Sequence, residues 1–161
     1  MIKLSEHFTL EEATFSETAA RLGIDNQPNE RQLENMRKAA ASMEEVRRIL
    51  GGLPIDVSSW LRLPEVNIAV GGSGKSAHMD GWGIDFKCSA FGSPLAVAKA
   101  ISLSGFKYDQ LIHEFGRWVH ISFEPALRRQ DLTIFKPSHP TKPYASGLLT
   151  AEQYAAYVAA G

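Results

Sequence analysis

The sequence predicts an α+β domain in which a small antiparallel sheet packs against helices. Three observations predict it. Helical periodicity comes first along the chain. Short β-rich runs follow, two of them separated by a tight turn. Only one helical stretch interrupts those runs, so strands and helices do not alternate as they would in a doubly wound parallel sheet.

The elements follow in order. "FTLEEATFS" opens with Thr9 and, three residues later, Glu12, a capping-box pattern that predicts a short first helix. "NERQLENMRKAAASMEEVRRILGG" is the clearest helix. Asn29 can cap it, and Gln32 stands at the reciprocal position. Leu33, Met36, Ala40, Met43, Val46 and Leu50 recur every three or four residues and form one apolar face. Gly51 and Gly52 end it. "PIDVSSW" is a strand by β-branched content and alternation. "LRLPEVNIAVGGSGKSAH" reads as a loop, Gly- and Ser-rich after Val70. "GIDFKC" is a strand. Ser93 and Pro94 open a second long helix that stops at Gly105. "FKYDQLIHEF" and "WVHISFE" read as two strands of one hairpin, and "DLTIF" as a further strand. A Pro-rich linker and a last helix capped by Thr150 complete residues 125–161, expected to extend the same single domain, 1–161.

Composition excludes several classes. The chain has 161 residues, 44% hydrophobic and 22% charged, as an ordinary globular domain has. A formal net charge of −1 argues against a nucleic-acid groove or a membrane-surface patch. No apolar run is long enough to span a bilayer. The single cysteine, Cys88, cannot form an internal disulfide, which fits folding in a reducing cytosol. "MIKLSEHFTLEE" lacks the apolar centre of a secretory signal, so cytoplasmic synthesis is expected. A monomer is expected.

"SAHMDGWGIDF", residues 76–86, carries the chemistry. Asp85 stands between Ile84 and Phe86, as if in a buried strand. An unpaired buried carboxylate costs several kcal/mol, so a partner is expected, and a metal cation would serve. Five histidines are available: His7, His78, His113, His120 and His139. In "WVHIS", Trp118, His120 and Ser122 share one strand face. Two histidines and one carboxylate suit catalytic zinc, whose fourth position is left to water. His78, Asp85 and His120 would supply that set from a loop and two strands. Taken singly, each of these residues has a plainer explanation: a hydrogen-bonded strand histidine, or an aspartate that shapes a turn.

"SAHMDGWGID" resembles the S-x-H-x-x-G-x-A-x-D signature of the zinc D-alanyl-D-alanine carboxypeptidase family, which shares its fold with phage endolysins and the Hedgehog signalling domain. Ser76, His78, Gly81 and Asp85 match it, and Gly83 replaces the usual alanine. Upstream, Arg62, Pro64, Asn67, Gly71 and Gly72 are similar to the family pattern, and "WVHIS" resembles the segment with the last ligand. The opening residues and "RRQDLTIFK" resemble the small single-domain, mostly phage or prophage, branch.

The resemblance implies a Hedgehog/DD-peptidase-like fold. It also implies Zn2+ held by His78, Asp85 and His120, and an Arg62 that grips a substrate carboxylate or carbonyl. Ser76 would lie near the substrate. The implied substrate is the stem peptide of peptidoglycan, and the implied setting is the cell wall, reached after release as a phage lysin or virion component. One departure concerns the base. Many relatives carry an acid three residues before the last histidine, where this chain has Arg117, which cannot accept a proton at neutral pH. Glu114 is the nearest carboxylate. If Gly116, Arg117 and Trp118 form the hairpin loop, Glu114 faces His120. If the loop has two residues, His113 faces His120 and Glu114 turns away. A non-catalytic zinc module that binds the wall or a partner is the alternative that Arg117 keeps open. Trp60, Trp82 and Trp118 are expected in the core, with a smaller chance of lining the cleft.

Overall fold

The computed structural model describes residues 1–161. Its first helices are α1 (Leu10–Thr14), α2 (Glu17–Leu22) and α3 (Glu30–Ile49). The capping boxes at Thr9/Glu12 and Asn29/Gln32 both form, each satisfying two backbone donors at a helix start. Along α3, Met36, Ala39, Ala40, Met43 and Val46 are fully buried, so the predicted stripe is the face turned to the core.

The sheet has six strands in the order β1-β2-β4-β3-β5-β6. They are β1 (Asp56–Ser59), β2 (Gly83–Lys87), β3 (Gln110–Glu114), β4 (Trp118–Ser122), β5 (Gln130–Ile134) and β6 (Ala145–Ser146). Helix α4 (Pro64–Ala69) lies before β2, α5 (Pro94–Leu103) follows it, and α6 (Ala151–Ala160) ends the chain. The class is the expected α+β, with one difference. β5 runs parallel to β3, so the sheet is mixed and not wholly antiparallel. The chain leaves β4 and skips past β3 before it pairs again. The crossing is pinned by buried Asp109, which accepts from the Arg128 Nε–H (2.9 Å), the Arg128 Nη2–H (2.7 Å) and the Arg128 backbone N–H (3.0 Å).

Two helices were not evident in the sequence. α2 is only six residues long, capped by Ser16. α4 occupies part of the expected loop: Pro64 at its first position starts a helix that the following glycines end. The loop proper begins after Val70 and is tied down by Asn67, whose Nδ2–H donates to the Ser73 carbonyl (2.9 Å).

Strand alternation sorts the central sheet into two faces. Ile84, Phe86, Leu111, Val119 and Ile121 form the core face. Asp85, Ile112, Glu114, Trp118 and His120 form the other. Between α4 and β2 sits a 3₁₀ turn, Ala77–Asp80, that delivers His78 to this second face. Gly81 closes the turn with φ +83°, in the left-handed region. A Cβ there would lie 2.7 Å from Met36 Cγ and 3.0 Å from the Gln32 carbonyl oxygen. Its own carbonyl accepts from the Trp60 Nε1–H at 2.8 Å. The turn is therefore clamped between α3 and the buried Trp60.

Gly81→Ala combines a disfavoured backbone conformation with overlap against the α3 backbone. It should destabilise the fold by about 2–4 kcal/mol, read as a lowered urea midpoint at unchanged slope.

Candidate metal centre and active site

The three predicted ligands meet. Asp85 and His120 are directly opposite each other on β2 and β4. His120 Nδ1 lies 2.8 Å from Asp85 Oδ1, and His78 Nε2 lies 3.2 Å from the same oxygen. The imidazole rings stand edge to face, 5.0 Å between centroids. One donor atom from each residue falls within 4.8 Å of the others, and all three residues are buried.

The hydrogen bonds show that this cluster suits a cation. His78 Nδ1 is 2.6 Å from the Trp60 carbonyl oxygen, which can only accept. Nδ1 therefore carries the proton. Burial lowers the His78 pKa, although the Asp85 charge opposes this, so the ring is neutral and turns a bare Nε2 lone pair towards a carboxylate oxygen. Two acceptors facing each other need a proton or a metal between them. A ligand histidine whose other nitrogen donates to a backbone carbonyl is the usual outer-sphere arrangement of such sites. Burial alone would raise Asp85, but the His120 ring, which donates to it and carries the opposite charge when protonated, holds its carboxyl below the usual range. Burial also works against a charged His120, and the Asp85 hydrogen bond and charge outweigh it, leaving its pKa raised.

Gly83, which stands where the signature has alanine, lies against this cluster. A Cβ there would be 3.0 Å from His120 Cε1 and 3.0 Å from the His78 backbone nitrogen. The glycine lets the His120 ring sit closer to the turn than an alanine would allow.

Arg62 reaches the same region. Its backbone N–H donates to the His78 carbonyl at 3.0 Å, which couples its position to the ligand turn. Buried Asn26 secures the flanks: its Nδ2–H donates to Thr14 (2.9 Å) and Leu61 (2.8 Å) carbonyls, and its Oδ1 accepts from the Leu63 N–H (3.1 Å). The guanidinium is largely desolvated, which lowers its pKa against the opposing pull of Asp85, Glu114 and Tyr144. Its Nε is buried without a hydrogen-bond partner. A buried guanidinium donor without a partner is a group waiting for an acceptor.

Glu114 lies on the site face, but by neither of the two expected registers. The hairpin loop is Phe115–Gly116–Arg117, one residue earlier than supposed. Glu114 pairs with Trp118, and Ile112 faces His120. The loop shifts because Phe115 and Gly116 both take positive φ, 58° and 68°, which leaves Trp118 free to join the strand. A two-residue displacement preserves the face, so Glu114 stands diagonally from His120, a step that side chains can bridge. Burial and then the Asp85 charge push its carboxyl up to about 7, against the pull of His120 and Arg62. The Trp118 indole lies beside it, with its buried N–H in no hydrogen bond of ordinary geometry. His113 is on the opposite face, its Nδ1 3.0 Å from the Leu149 carbonyl oxygen.

Ser76 caps the 3₁₀ turn, its Oγ accepting from the His78 N–H at 3.2 Å. Of the tryptophans, Trp60 is core, Trp82 packs against the core, and half-buried Trp118 borders the site. Nothing in the sequence pointed to Tyr144. This residue precedes β6 and senses the site: burial raises its phenol pKa, and Glu114 and Asp85 raise it further. Only the pairing of β6 with β5 brings it there.

A metal held by only three protein donors keeps a position for water, as catalytic sites do and closed structural sites do not. The peptidase M15 family model matches residues 6–122, and the chain belongs to that family. No curated protein matches the chain. Members of the family are zinc-dependent peptidases, and the His78–Asp85–His120 cluster can hold such a metal.

The raised Glu114 pKa predicts a pH effect in metal-free protein. Between pH 4.5 and 7 the folded chain holds a proton that the unfolded chain has lost. Stability from this group is therefore present below about 4.5 and falls as pH rises to about 7, by up to about 3 kcal/mol. Glu114→Gln should remove that fall. Thermal melts at pH 5 and 7 in chelator should show the variant gaining on the wild type as pH rises.

Proposed function

We propose that the chain is a zinc-dependent peptidase of bacterial cell-wall stem peptides, acting as a D-Ala-D-Ala carboxypeptidase or endopeptidase. The observation that carries this reading is the convergence of buried His78, Asp85 and His120, with Glu114 and Arg62 near enough to feel the Asp85 charge. Zinc bound by such a set supplies an acidified water and polarises a carbonyl.

The chain's own residues supply the rest. Neutral His78, fixed by the Trp60 carbonyl, and Asp85 and His120 would hold the metal. Glu114 takes the proton of the attacking water and delivers it to the leaving amine. A single carboxyl beside the metal can serve both halves of that transfer. Arg62 presents its planar fork to a substrate carboxylate or carbonyl, satisfying its free donor. Ser76 holds the ligand turn and stands close enough in sequence to border the substrate. Peptidoglycan sets the place of action, the cell wall, and likeness to the phage and prophage branch supports a lysin or virion component that works as a monomer.

Protein purified without added metal should carry close to one zinc per chain, and His120→Ala should lose most of it. Elemental analysis checks this, and zinc retained by the variant would remove His120 from the ligand set. Glu114→Gln should keep its zinc and fold while losing about 100- to 10,000-fold in hydrolysis of peptidoglycan, followed by mass spectrometry of released fragments. Arg62→Lys should recover little of the activity lost in Arg62→Ala, because an ammonium cannot make the two-pronged contact. Normal digestion by Glu114→Gln would place the base elsewhere.

A further inference from the structure

The β3–β4 hairpin carries a second feature that the chemistry above does not use. A cavity of about 390 Å³ opens at its tip, lined by Phe115, Arg117, Trp118, Phe135 and Lys136. Three of these five are aromatic and two are cationic. Phe115 and Trp118 stand edge to face, 5.5 Å between centroids. Phe135 closes the other side and is held against His113, 5.3 Å between centroids. Arg117 and Lys136 are exposed, and neither makes a salt bridge or a side-chain hydrogen bond. Phe115 adopts φ 58°, a left-handed conformation that a bulky side chain rarely takes. Strain of this kind persists where surrounding structure imposes it, and it gathers at ligand-binding loops.

The cavity adjoins the site. Phe115 follows Glu114 directly, and Trp118 is its partner across the ladder. Sheet order sets the direction. Arg62 comes in from the β1 edge, whereas the hairpin tip and Phe135 lie on the β3–β5 side. The Trp118 wall stands on the site face and the Phe135 wall packs on His113 at the other, so the cavity wraps the hairpin tip, and a peptide gripped at one end by Arg62 and crossing Glu114 would enter it at Trp118. Two unpaired cations at its rim favour an anionic occupant, and the aromatic walls favour an extended chain with apolar or flat surfaces.

The geometry points to a subsite for an acidic arm of the substrate peptide: a free side-chain or α-carboxylate upstream of the cut bond, held by Arg117 and Lys136 over Phe115, Trp118 and Phe135. This inference rests on the peptidase reading given above. It makes Arg117 a binding group and gives a reason for a cation where an acid stands in many relatives.

Two synthetic stem peptides test it, identical except that the upstream carboxylate is free in one and amidated in the other. With the zinc-loaded full chain, KM should be about threefold to tenfold lower for the free acid at similar kcat, the size expected of two exposed charge contacts. Arg117→Gln/Lys136→Gln should abolish that preference while leaving kinetics on the amidated peptide unchanged. High salt should erase it in the wild type. Both side chains are exposed, so folding is not at stake. Hydrolysis of both peptides with equal KM, or a preference that survives in the double variant, overturns the subsite and leaves the peptidase reading standing. No hydrolysis of either peptide or of whole peptidoglycan by the wild type overturns both.

Discussion

The buried carboxylate of Asp85 is the constraint on which the rest of the site depends. It stands on a central strand between two core residues, where an unpaired charge would cost several kcal/mol. Both its neighbours in space are histidines, and only one is free to give it a proton. The other has its proton committed to the Trp60 carbonyl, so its lone pair faces the carboxylate. Much of the surrounding structure maintains that commitment. Trp60 is fully buried and bonded to Gly81, Gly81 is pressed on α3, and the ligand turn hangs from the backbone of Arg62. A cluster held this firmly with one proton too few is built for a cation.

Glu114 follows from the same charge. Its carboxyl is raised by burial and by Asp85, and restrained by His120 and Arg62. A dication among the three donors would add a much larger attraction and lower that pKa, since a bound ion dominates local electrostatics. The proton affinity of Glu114 is thus tied to occupancy of the neighbouring cluster.

Much of this was legible in the sequence. Ser76, His78 and Asp85 lie within ten residues, so local geometry could place them together, and His120 was readable from strand alternation. The capping boxes and the α3 stripe were equally local. What stayed hidden depends on contacts distant along the chain. The hairpin register turned on positive φ at Phe115, which no rule assigns to a phenylalanine. The parallel pairing of β5 with β3 depends on Asp109 meeting Arg128. Asn26, which braces the flanks of Arg62, looks in sequence like any turn asparagine.

The family match stops at residue 122, the end of β4, yet the sheet continues. Without β5, strand β3 would be an exposed edge, its free N–H and C=O groups open to unwanted pairing, and β3 carries Glu114. β5 covers that edge, and the Phe115 N–H donates to the Ile134 carbonyl at 2.8 Å, which anchors the strained hairpin residue. β6 in turn covers β5 and sets Tyr144 where its phenol responds to Glu114 and Asp85. The His78–Asp85–His120 cluster belongs wholly to the matched part. The position of Glu114, and the walls beyond it, depend on the residues that follow.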